Sequence, residues 1–205
     1  MTPFLEALIK RFGSEQCQHI TTDSGAIELV LVHVPAKNCT LLLTNGLSTY
    51  KMPVHEKEVG NEHNELYFCL PSYWDINAKD SLTMNWVFDW INRLATFVVE
   101  KNTWFGHGHT MPCGKDKKEL SPTMKQNHFF LSRPIYLKDE LIPIELPDYK
   151  VQFLAIIPVF EKEVEYKLHR GTLKFMDKLN TQGVSEKLDD YRGSVMKSKW
   201  RLLRK

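Results

Sequence analysis

Apolar and polar positions along the chain follow two different periods, and these periods predict where helices and strands form. Thr2 and Pro3 mark a helix start, because a hydroxyl at the N-cap and a proline in the first turn are both favoured there. Gly13 marks its end. Between them, apolar residues recur at helical spacing, at Phe4, Leu5, Leu8, Ile9 and Phe12. The pattern therefore predicts an amphipathic helix at the start of the chain.

Runs of apolar and β-branched residues predict strands. They lie at Ile27–His33, Cys39–Thr44, Glu65–Leu70, His128–Leu131 and Val151–Phe160. The first two lie between the turn signals Asp23–Gly25 and Asn45-Gly46, so we expect them to pair as a hairpin. The last run is almost entirely apolar, which is typical of a strand buried on both faces. Its Pro158 predicts either the end of this strand or a sheet edge.

Helical periods return in the second half of the chain. The clearest covers Thr83–Glu100, whose apolar residues form a broad stripe suited to packing on a sheet, namely Trp86, Val87, Trp90, Ile91, Leu94, Phe97 and Val98. Shorter helices are predicted at Glu161–Arg170, Thr172–Leu179 and Ser185–Tyr191. The polar segment Lys51–Asn64 predicts an exposed loop, and Tyr136–Asp148 predicts a segment along the surface or at a sheet edge.

The interleaving of strands and helices, without internal repeats or a clear linker, predicts a single domain over residues 1–205. Hydrophobic residues make up 42% of the chain and charged residues 25%, which excludes a disordered protein and supplies a sizeable core. The expected fold class is α+β, with a mixed, mainly antiparallel sheet covered by helices.

The charge balance and the cysteines indicate which partners and which cellular compartment to expect. The net charge of +2 is too even for a concentrated basic face, so we expect no direct nucleic-acid partner. No apolar run reaches the length of a membrane span, and the first residues lack the basic region of a signal peptide. Without a secretory signal, the separated cysteines Cys17, Cys39, Cys69 and Cys113 indicate reduced thiols. These features predict a cytoplasmic protein that does not enter membranes.

Motifs of common catalytic sites are absent or incomplete. Neither the nucleophile elbow GxSxG nor the phosphate-binding GxxxxGK[ST] is present, and His55-Glu56 begins an HExxH pattern that fails at Val59. Glu161 and Glu165 share a helix face at i and i+4, but one exposed face does not place two carboxylates across a cleft as a glycosidase needs. We therefore expect neither an enzyme nor a cofactor.

The run His107-Gly108-His109 is the sharpest local feature. In a strand, residues at i and i+2 point to the same side, where two imidazoles are able to bind a metal with Cys113 as a third ligand. Alternatively, the histidines hydrogen-bond backbone groups where the glycines allow the chain to approach closely. The sequence leaves both readings open, and the second is the expectation, with no metal bound.

The carboxyl-terminal tail Lys197–Lys205 contains five basic residues and no acidic ones. Trp200, Leu202 and Leu203 lie between the basic positions. A charged surface helix or a frayed end is the simplest interpretation. Contact with nucleic acid, an anionic membrane or an acidic protein is the alternative.

Several segments in a fixed order resemble the suppressor-of-fused domain family. They are Thr44-Asn45-Gly46-Leu47-Ser48, Glu65-Leu66-Tyr67 leading to Leu70-Pro71, the Trp86 helix with Arg93-Leu94-Ala95, Thr103-Trp104-Phe105-Gly106-His107-Gly108-His109-Thr110, Phe153–Val159 with Glu161 and Glu163 behind it, and Asp189 or Asp190 with Arg192. The resemblance covers roughly residues 25–195. The Gly-His-Gly-His-Thr run after the Trp86 helix is fairly specific to this family. The order of all six segments is a stronger indication than any one of them.

The resemblance implies a mixed α/β fold without an established enzymatic activity. The animal member is a two-domain regulator that holds a transcription factor by strand addition, and this chain is too short for both domains. The chain is more similar to the compact bacterial members, which resemble immunity proteins of polymorphic toxin systems. The resemblance therefore predicts a bacterial immunity protein, or antitoxin, that neutralises a cognate toxin by direct binding. A nuclease is one candidate class of toxin. A metal-dependent enzyme centred on His107 and His109 and a general regulatory adaptor are the alternatives.

Acidic segments are the candidate contact surfaces for a basic toxin, because opposite charge steers association. The candidate partner-binding residues lie in the loop before the third predicted strand, in the segment 138–148 and at the start of the helix from Glu161. They are Glu56, Glu58, Glu62, Glu140, Glu145, Glu161 and Glu165. Strand addition at a sheet edge also fits such a partner. The motif residues are expected to be structural, with glycines in turns and apolar residues in the core.

Overall fold

The protein folds around one sheet, as seen in a computed structural model that describes residues 1–20, 27–77 and 81–196. The strands in this part of the chain are β1 (Cys17–Ile20), β2 (Glu28–Val34), β3 (Cys39–Asn45), β4 (Asn64–Pro71), β5 (Thr110–Pro112), β6 (His128–Ser132), β7 (Ile144–Glu145) and β8 (Lys150–Val159). Its α-helices are α1 (Pro3–Phe12), α2 (Trp86–Glu100), α3 (Glu161–Arg170) and α4 (Thr172–Thr181). None of the helices in these residues has both the length and the apolar character that a membrane crossing requires.

The strands follow the order β1-β2-β3-β4-β8-β6-β5, and β7 pairs with the first residues of β8. Every neighbouring pair is antiparallel except β4 and β8, which run parallel. The expected hairpin is present, since β2 and β3 pair from Glu28 opposite Asn45 to Val34 opposite Cys39. The predicted fold class, a mixed and mainly antiparallel sheet covered by helices, is confirmed.

Apolar side chains cover both faces of the sheet. Helix α2 packs on one face through Trp86, Val87, Ile91, Leu94 and Val98. On the other face lie α1, α3, α4 and the segment 135–149, which contribute Phe4, Leu8, Leu137, Leu141, Ile144, Val164, Phe175 and Leu179. Successive residues of β8 alternate between the two cores, and all of them after Lys150 are buried. The prediction of a strand buried on both faces is therefore confirmed.

The predicted ends of α1 and α3 agree with the structure. The Thr2 hydroxyl accepts a hydrogen bond from the Leu5 backbone N–H at 3.1 Å, and Gly13 ends α1 with φ of 95°. Gly171 ends α3 with φ of 84° and precedes α4. A positive φ in this range strains any residue with a Cβ, so glycine suits both positions.

Residues 185–191 do not form the predicted helix. Lys187 lies in a parallel bridge with Cys69 of β4, and the Leu188 N–H donates to the Cys69 carbonyl at 2.8 Å. The bridge forms because β8 pairs with β4 only up to Tyr67 and Ala155, which leaves the last residues of β4 to pair elsewhere. The helical prediction was wrong because it weighed local propensity without this long-range partner.

Pro158 lies next to the end of β8, as predicted, but the strand is central rather than at an edge. The Pro158 carbonyl accepts a hydrogen bond from Nη2 of Arg192 at 2.7 Å. Segment 51–63 is mostly exposed, with Met52 buried and Asn64 starting β4. The predicted turn Asp23–Gly25 and the basic tail Lys197–Lys205 lie outside the described residues.

Candidate partner-binding surface

A buried carboxylate organises the Thr44–Ser48 turn. Glu65, fully buried at the start of β4, accepts hydrogen bonds from the N–H of Gly46 at 3.0 Å, the N–H of Ser48 at 2.9 Å and the hydroxyl of Thr44. Burial raises the pKa of Glu65, and the hydrogen bonds that it accepts partly offset this effect. The turn and the Glu65-Leu66-Tyr67 segment therefore form one structural unit.

A second buried carboxylate ties helix α3 to the end of the described chain. Glu163 has no exposed side-chain surface and accepts two hydrogen bonds from the guanidinium of Arg192, each at 2.9 Å. It also accepts from the N–H groups of Phe160 at 2.9 Å and Val195 at 2.8 Å. Glu163 and Arg192, two of the residues that carry the resemblance, thus have a structural role.

A third buried carboxylate holds the segment that crosses one face of the sheet. Glu186 is 1% exposed and accepts hydrogen bonds from the N–H groups of Ile135, Tyr136 and Leu137 at 2.9 to 3.0 Å. These contacts are another reason why residues near 186 are extended. Sequence reasoning missed the roles of Glu65 and Glu186, because nothing in the local sequence distinguishes a buried glutamate from an exposed one.

The histidine run lies in a turn rather than in a strand. Gly108 has φ of 91°, and a Cβ there would lie 3.0 Å from the Thr172 hydroxyl, so the position requires glycine. The Gly108 N–H donates to the Leu131 carbonyl, and the Leu131 N–H donates to the His109 carbonyl, each at 2.8 Å. These bonds attach the turn to β6 and correct the assumption that the two imidazoles project from one side of a strand.

The two imidazoles make separate contacts. Nδ1 of His107 accepts a hydrogen bond from the Arg133 N–H at 3.2 Å, and His109 packs against Trp104 with ring centroids 4.3 Å apart. Burial lowers the pKa of both histidines. Cys113 packs in the core beneath α2, and burial raises the pKa of its thiol. Within residues 1–20, 27–77 and 81–196, no three His, Cys, Asp or Glu side chains are grouped to hold a metal ion.

Part of the predicted acidic surface lies at the amino-terminal end of β4 and β8. Glu56 is exposed, Glu58 accepts from Nδ2 of Asn61 at 2.9 Å, and Glu62 accepts from the Gly60 N–H at 2.8 Å. Glu145 of β7 is exposed and forms an ion pair with Lys150 at 2.6 Å. The loop 51–63 contacts the turn between β7 and β8, because the rings of His63 and Tyr149 stack with their centroids 4.3 Å apart. These four glutamates therefore share one end of the sheet.

Glu140 is half-buried instead of freely presented. One of its carboxylate oxygens lies 3.3 Å from Nζ of Lys37, and the other is buried without a hydrogen-bond partner among the described residues. Its backbone carbonyl accepts from Arg11, which also binds the Ile142 and Pro143 carbonyls. The contacts of Glu140 therefore attach the segment to the rest of the fold.

Glu161 and Glu165 lie at the start of α3, beyond the opposite end of β8. The ten-residue strand β8 begins at Lys150 and ends next to this helix, a distance of about 30 Å at the usual rise per residue. Glu161 forms an ion pair with Lys117, which lowers the pKa of Glu161. Glu165 is exposed and makes no ion pair within the described residues. The predicted acidic residues thus form separated patches and not one continuous face.

An apolar groove between α2 and β5 was not predicted. Its volume is about 390 Å³, and it is lined by Trp90, Arg93, Leu94 and Phe97 of α2, by Met111 and Pro112 of β5, and by Gly114 and Lys115. Phe97 is 48% exposed although it belongs to the stripe that was predicted to be core. The Arg93 guanidinium lies over the Trp90 ring, 5.3 Å from its centroid. Exposed apolar surface of this kind often marks a binding site.

The groove adjoins an open sheet edge. Strand β5 pairs with β6 on one side and has no strand on the other among the described residues. Arg93 and Lys115 make no ion pair in the same residues, so both cations remain available to an acidic group. Pro112 was a usable sequence signal, since proline within a sheet favours an edge strand. The arrangement suits an apolar segment of a partner protein.

Comparison with known proteins supports this fold. The family model described as Suppressor of fused protein matches residues 25–192. No curated protein sequence matches the chain. Among solved structures, a putative homologue of that protein from Neisseria gonorrhoeae is 15% identical, with a TM-score of 0.67 over 95% of this chain and 96% of the other.

Two further solved structures share the fold. A structure of the Sufu–Fu complex is 16% identical, with a TM-score of 0.63 over 94% of this chain and 90% of that one. Drosophila Suppressor of Fused is 16% identical, with a TM-score of 0.65 over 94% of this chain. This chain spans 50% of the Drosophila protein.

Proposed function

The chain belongs to the suppressor of fused family, and on this premise we propose that it is a bacterial, cytoplasmic binding protein that neutralises a cognate toxin by direct contact. The resemblance implies binding and regulation without an established enzymatic activity, and one solved structure of similar fold is that of the Sufu–Fu complex. The antitoxin role rests on the similarity to compact bacterial members. The separate contacts of His107 and His109 do not support the metal-dependent enzyme. The general regulatory adaptor remains the alternative to the antitoxin.

The observation that carries the proposal of protein binding is the groove between α2 and β5. It combines exposed apolar side chains, an aromatic anchor and the free edge of β5, the elements by which proteins bind an added strand or an inserted side chain. Arg93 and Lys115 would pair with acidic residues of the partner that flank the apolar ones.

The acidic patches are proposed to act in a different way. Glu56, Glu58, Glu62 and Glu145 lie at one end of the sheet, and Glu161 and Glu165 lie at the other. Glu161 is joined through Lys117 to the loop that supplies Lys115 to the groove. Exposed charges of this kind influence the association rate more than the final affinity. We therefore propose that they speed the approach of a basic toxin, such as a nuclease.

The first test is co-expression with the toxin encoded beside this gene. Rescue of the host, together with a stable one-to-one complex on co-purification, would support direct neutralisation. Continued toxicity without a complex would remove that toxin as the target.

The second test locates the contact. Phe97→Ala should weaken the complex roughly tenfold or more, as the loss of an aromatic contact at the centre of an interface does. Val99→Ala is the matched control, because Val99 lies on the same helix, is 40% exposed and does not line the groove. Equal affinities of both variants and the wild type, measured by calorimetry, would show that the groove is not the contact surface.

A further inference from the structure

The backbone of β5 alternates between bonds to β6 and the open edge of the sheet. The Leu131 N–H donates to the His109 carbonyl, and the Cys113 N–H donates to the Asn127 carbonyl, each at 2.8 Å. Both bonds agree with the antiparallel register of β5 and β6. In such a ladder, residues that bond to the neighbouring strand alternate with residues whose backbone groups point away from it. His109 and Cys113 are of the first kind, so the second kind lies at the even-numbered positions of β5.

These outward positions offer few hydrogen bonds to an added strand. Thr110 and Pro112 occupy them in β5. Pro112 has no N–H, and its carbonyl already accepts from the Gly114 N–H at 3.0 Å. Thr110 is then the one residue of β5 that has both an outward N–H and an outward carbonyl. Main-chain hydrogen bonds supply the affinity of strand addition, so this edge is poorly suited to it.

The wall that α2 contributes to the groove is instead suited to another helix. Trp90, Leu94 and Phe97 line the groove at i, i+4 and i+7, which is the spacing of one helical stripe. The stripe covers two turns, a length of about 10 Å at the rise of an α-helix. Side chains at this spacing form the ridges and grooves into which a second helix packs. Phe97 is 48% exposed, so a partner is able to reach the stripe.

Both charged residues at the groove are positive. Arg93 belongs to α2 and Lys115 follows β5, so each wall carries one cation. No acidic residue lines the groove, and neither cation makes an ion pair within the described residues. An apolar groove with a cation on each wall is complementary to an apolar stripe that is flanked by carboxylates.

We propose that the groove between α2 and β5 binds an acidic amphipathic helix of the partner protein. Apolar residues of this helix, at i, i+3, i+4 and i+7, insert between α2 and β5, and Asp or Glu residues beside them pair with Arg93 and Lys115. A helix satisfies its own backbone groups, so the few bonds available at the β5 edge do not weaken this mode of binding. The inference rests on the proposed function, since it names the element that the groove takes from the partner.

Two synthetic peptides of the same Leu and Glu composition, both acetylated and amidated, test the proposal. In the first, Leu recurs at i, i+3, i+4 and i+7, and in the second, Leu and Glu alternate as in a strand. Fluorescence anisotropy of the labelled peptides should show roughly tenfold tighter binding of the first, and circular dichroism should show that it gains helicity when bound. Equal binding, tighter binding of the alternating peptide, or binding of neither would overturn the proposal.

Two charge variants test the acidic flanks. Arg93→Glu should weaken binding of the helical-period peptide roughly tenfold at low salt, because it replaces an attraction to the peptide carboxylates by a repulsion. Lys101→Glu is the control, since it changes the net charge equally at an exposed residue beyond α2 that does not line the groove. If Arg93→Glu bound as tightly as Lys101→Glu, the pairing of the groove with acidic residues would be wrong.

Hydrogen exchange at Thr110 distinguishes a helix from a strand. The Thr110 amide should exchange at the same rate with and without the helical-period peptide, because no strand is added beside it. The Met111 amide, which faces β6, is the internal reference. Slower exchange at Thr110 in the bound state would indicate strand addition and would overturn the helical mode.

The peptide experiments fail independently of the proposed function. If Phe97→Ala weakens the toxin complex although neither peptide binds, the groove is the contact surface but its occupant is not a helix. If the helical-period peptide binds wild type and Phe97→Ala leaves the toxin complex unchanged, the groove binds helices but the toxin contacts another surface.

Discussion

Two groups of glutamates in this protein have opposite surroundings. Glu65, Glu163 and Glu186 are buried at the places where loops and helices join the sheet, and each accepts at least three hydrogen bonds. Glu56, Glu145 and Glu165 lie at the surface with few contacts. The residue type is the same, but the first group holds the framework together and the second is free to meet a partner.

The comparison explains why several of the residues that carry the family resemblance have a structural role. Glu65, Glu163 and Arg192 belong to that set, and each is used within the fold. The candidate partner-binding surface therefore lies mostly outside the motifs and takes only Arg93, Leu94 and Glu161 from them.

The largest expected effect is at the first turn of α3. Glu163→Ala leaves the Arg192 guanidinium buried without its charge partner, so we expect a loss of about 4 kcal/mol in the free energy of unfolding. Glu161→Ala, two residues earlier, removes an exposed partner of Lys117 and should have a much smaller effect. Chemical denaturation of both variants gives the two values. Similar losses would mean that the buried and exposed glutamates do not differ as described.

A somewhat smaller effect is expected at Glu186. Glu186→Gln replaces one acceptor oxygen by an NH₂ group, which then faces one of the backbone N–H groups of Ile135, Tyr136 and Leu137. We expect a loss of about 2 kcal/mol, and faster hydrogen exchange at these amides. Glu145→Gln is the exposed control. Unchanged exchange at residues 135–137 would contradict the anchoring role.

Glu65 should make stability depend on pH. Burial raises its pKa in the folded chain above the ordinary value of 4.5, so between these two pKa values the folded state binds more protons than the unfolded state. Its contribution to stability therefore falls as the pH rises through this window, and then stays constant. Denaturation of the wild type and of Glu65→Gln across the window should show a difference that declines with pH. A difference independent of pH would contradict the raised pKa.

The smallest effect on stability is expected at the surface. Charge reversal by Glu56→Lys with Glu62→Lys, by Glu145→Lys, or by Glu161→Lys with Glu165→Lys should leave the fold intact and slow association with a basic toxin, most strongly at low salt. Stopped-flow mixing with the toxin measures this rate. Charge reversal at Glu58 and at Glu140 completes the set of variants. If none of these reversals changed the association rate, the proposed acidic contact surface would be wrong.

Sequence patterns predicted the longer elements well. The continuous apolar run of β8 and the caps of α1 and α3 are local features, and each occurs where expected. The short strands β1 and β5 were not predicted, because three or four residues carry too little periodicity. Residues 185–191 were predicted as a helix because the competing partners, Cys69 and the backbone of residues 135–137, are far away in the chain.

The candidate site shows the same limit. The sequence identified acidic segments, but it did not determine that Glu140 would be tied to Lys37 or that the patches would lie at opposite ends of β8. It identified the stripe of α2, but not that Phe97 would remain half exposed beside an edge strand. Exposure depends on which elements cover a residue, and that depends on contacts distant in sequence.

By itself, then, the sequence determined the elements with strong periods, the α+β class and the family, because periodicity, caps and motif order are properties of the chain. Only the tertiary structure decided which glutamates are buried, that the histidine run is a turn attached to β6, and where the apolar groove between α2 and β5 lies. These features arise where segments distant in sequence meet, and burial, hydrogen bonding and charge pairing there depend on all of those segments together.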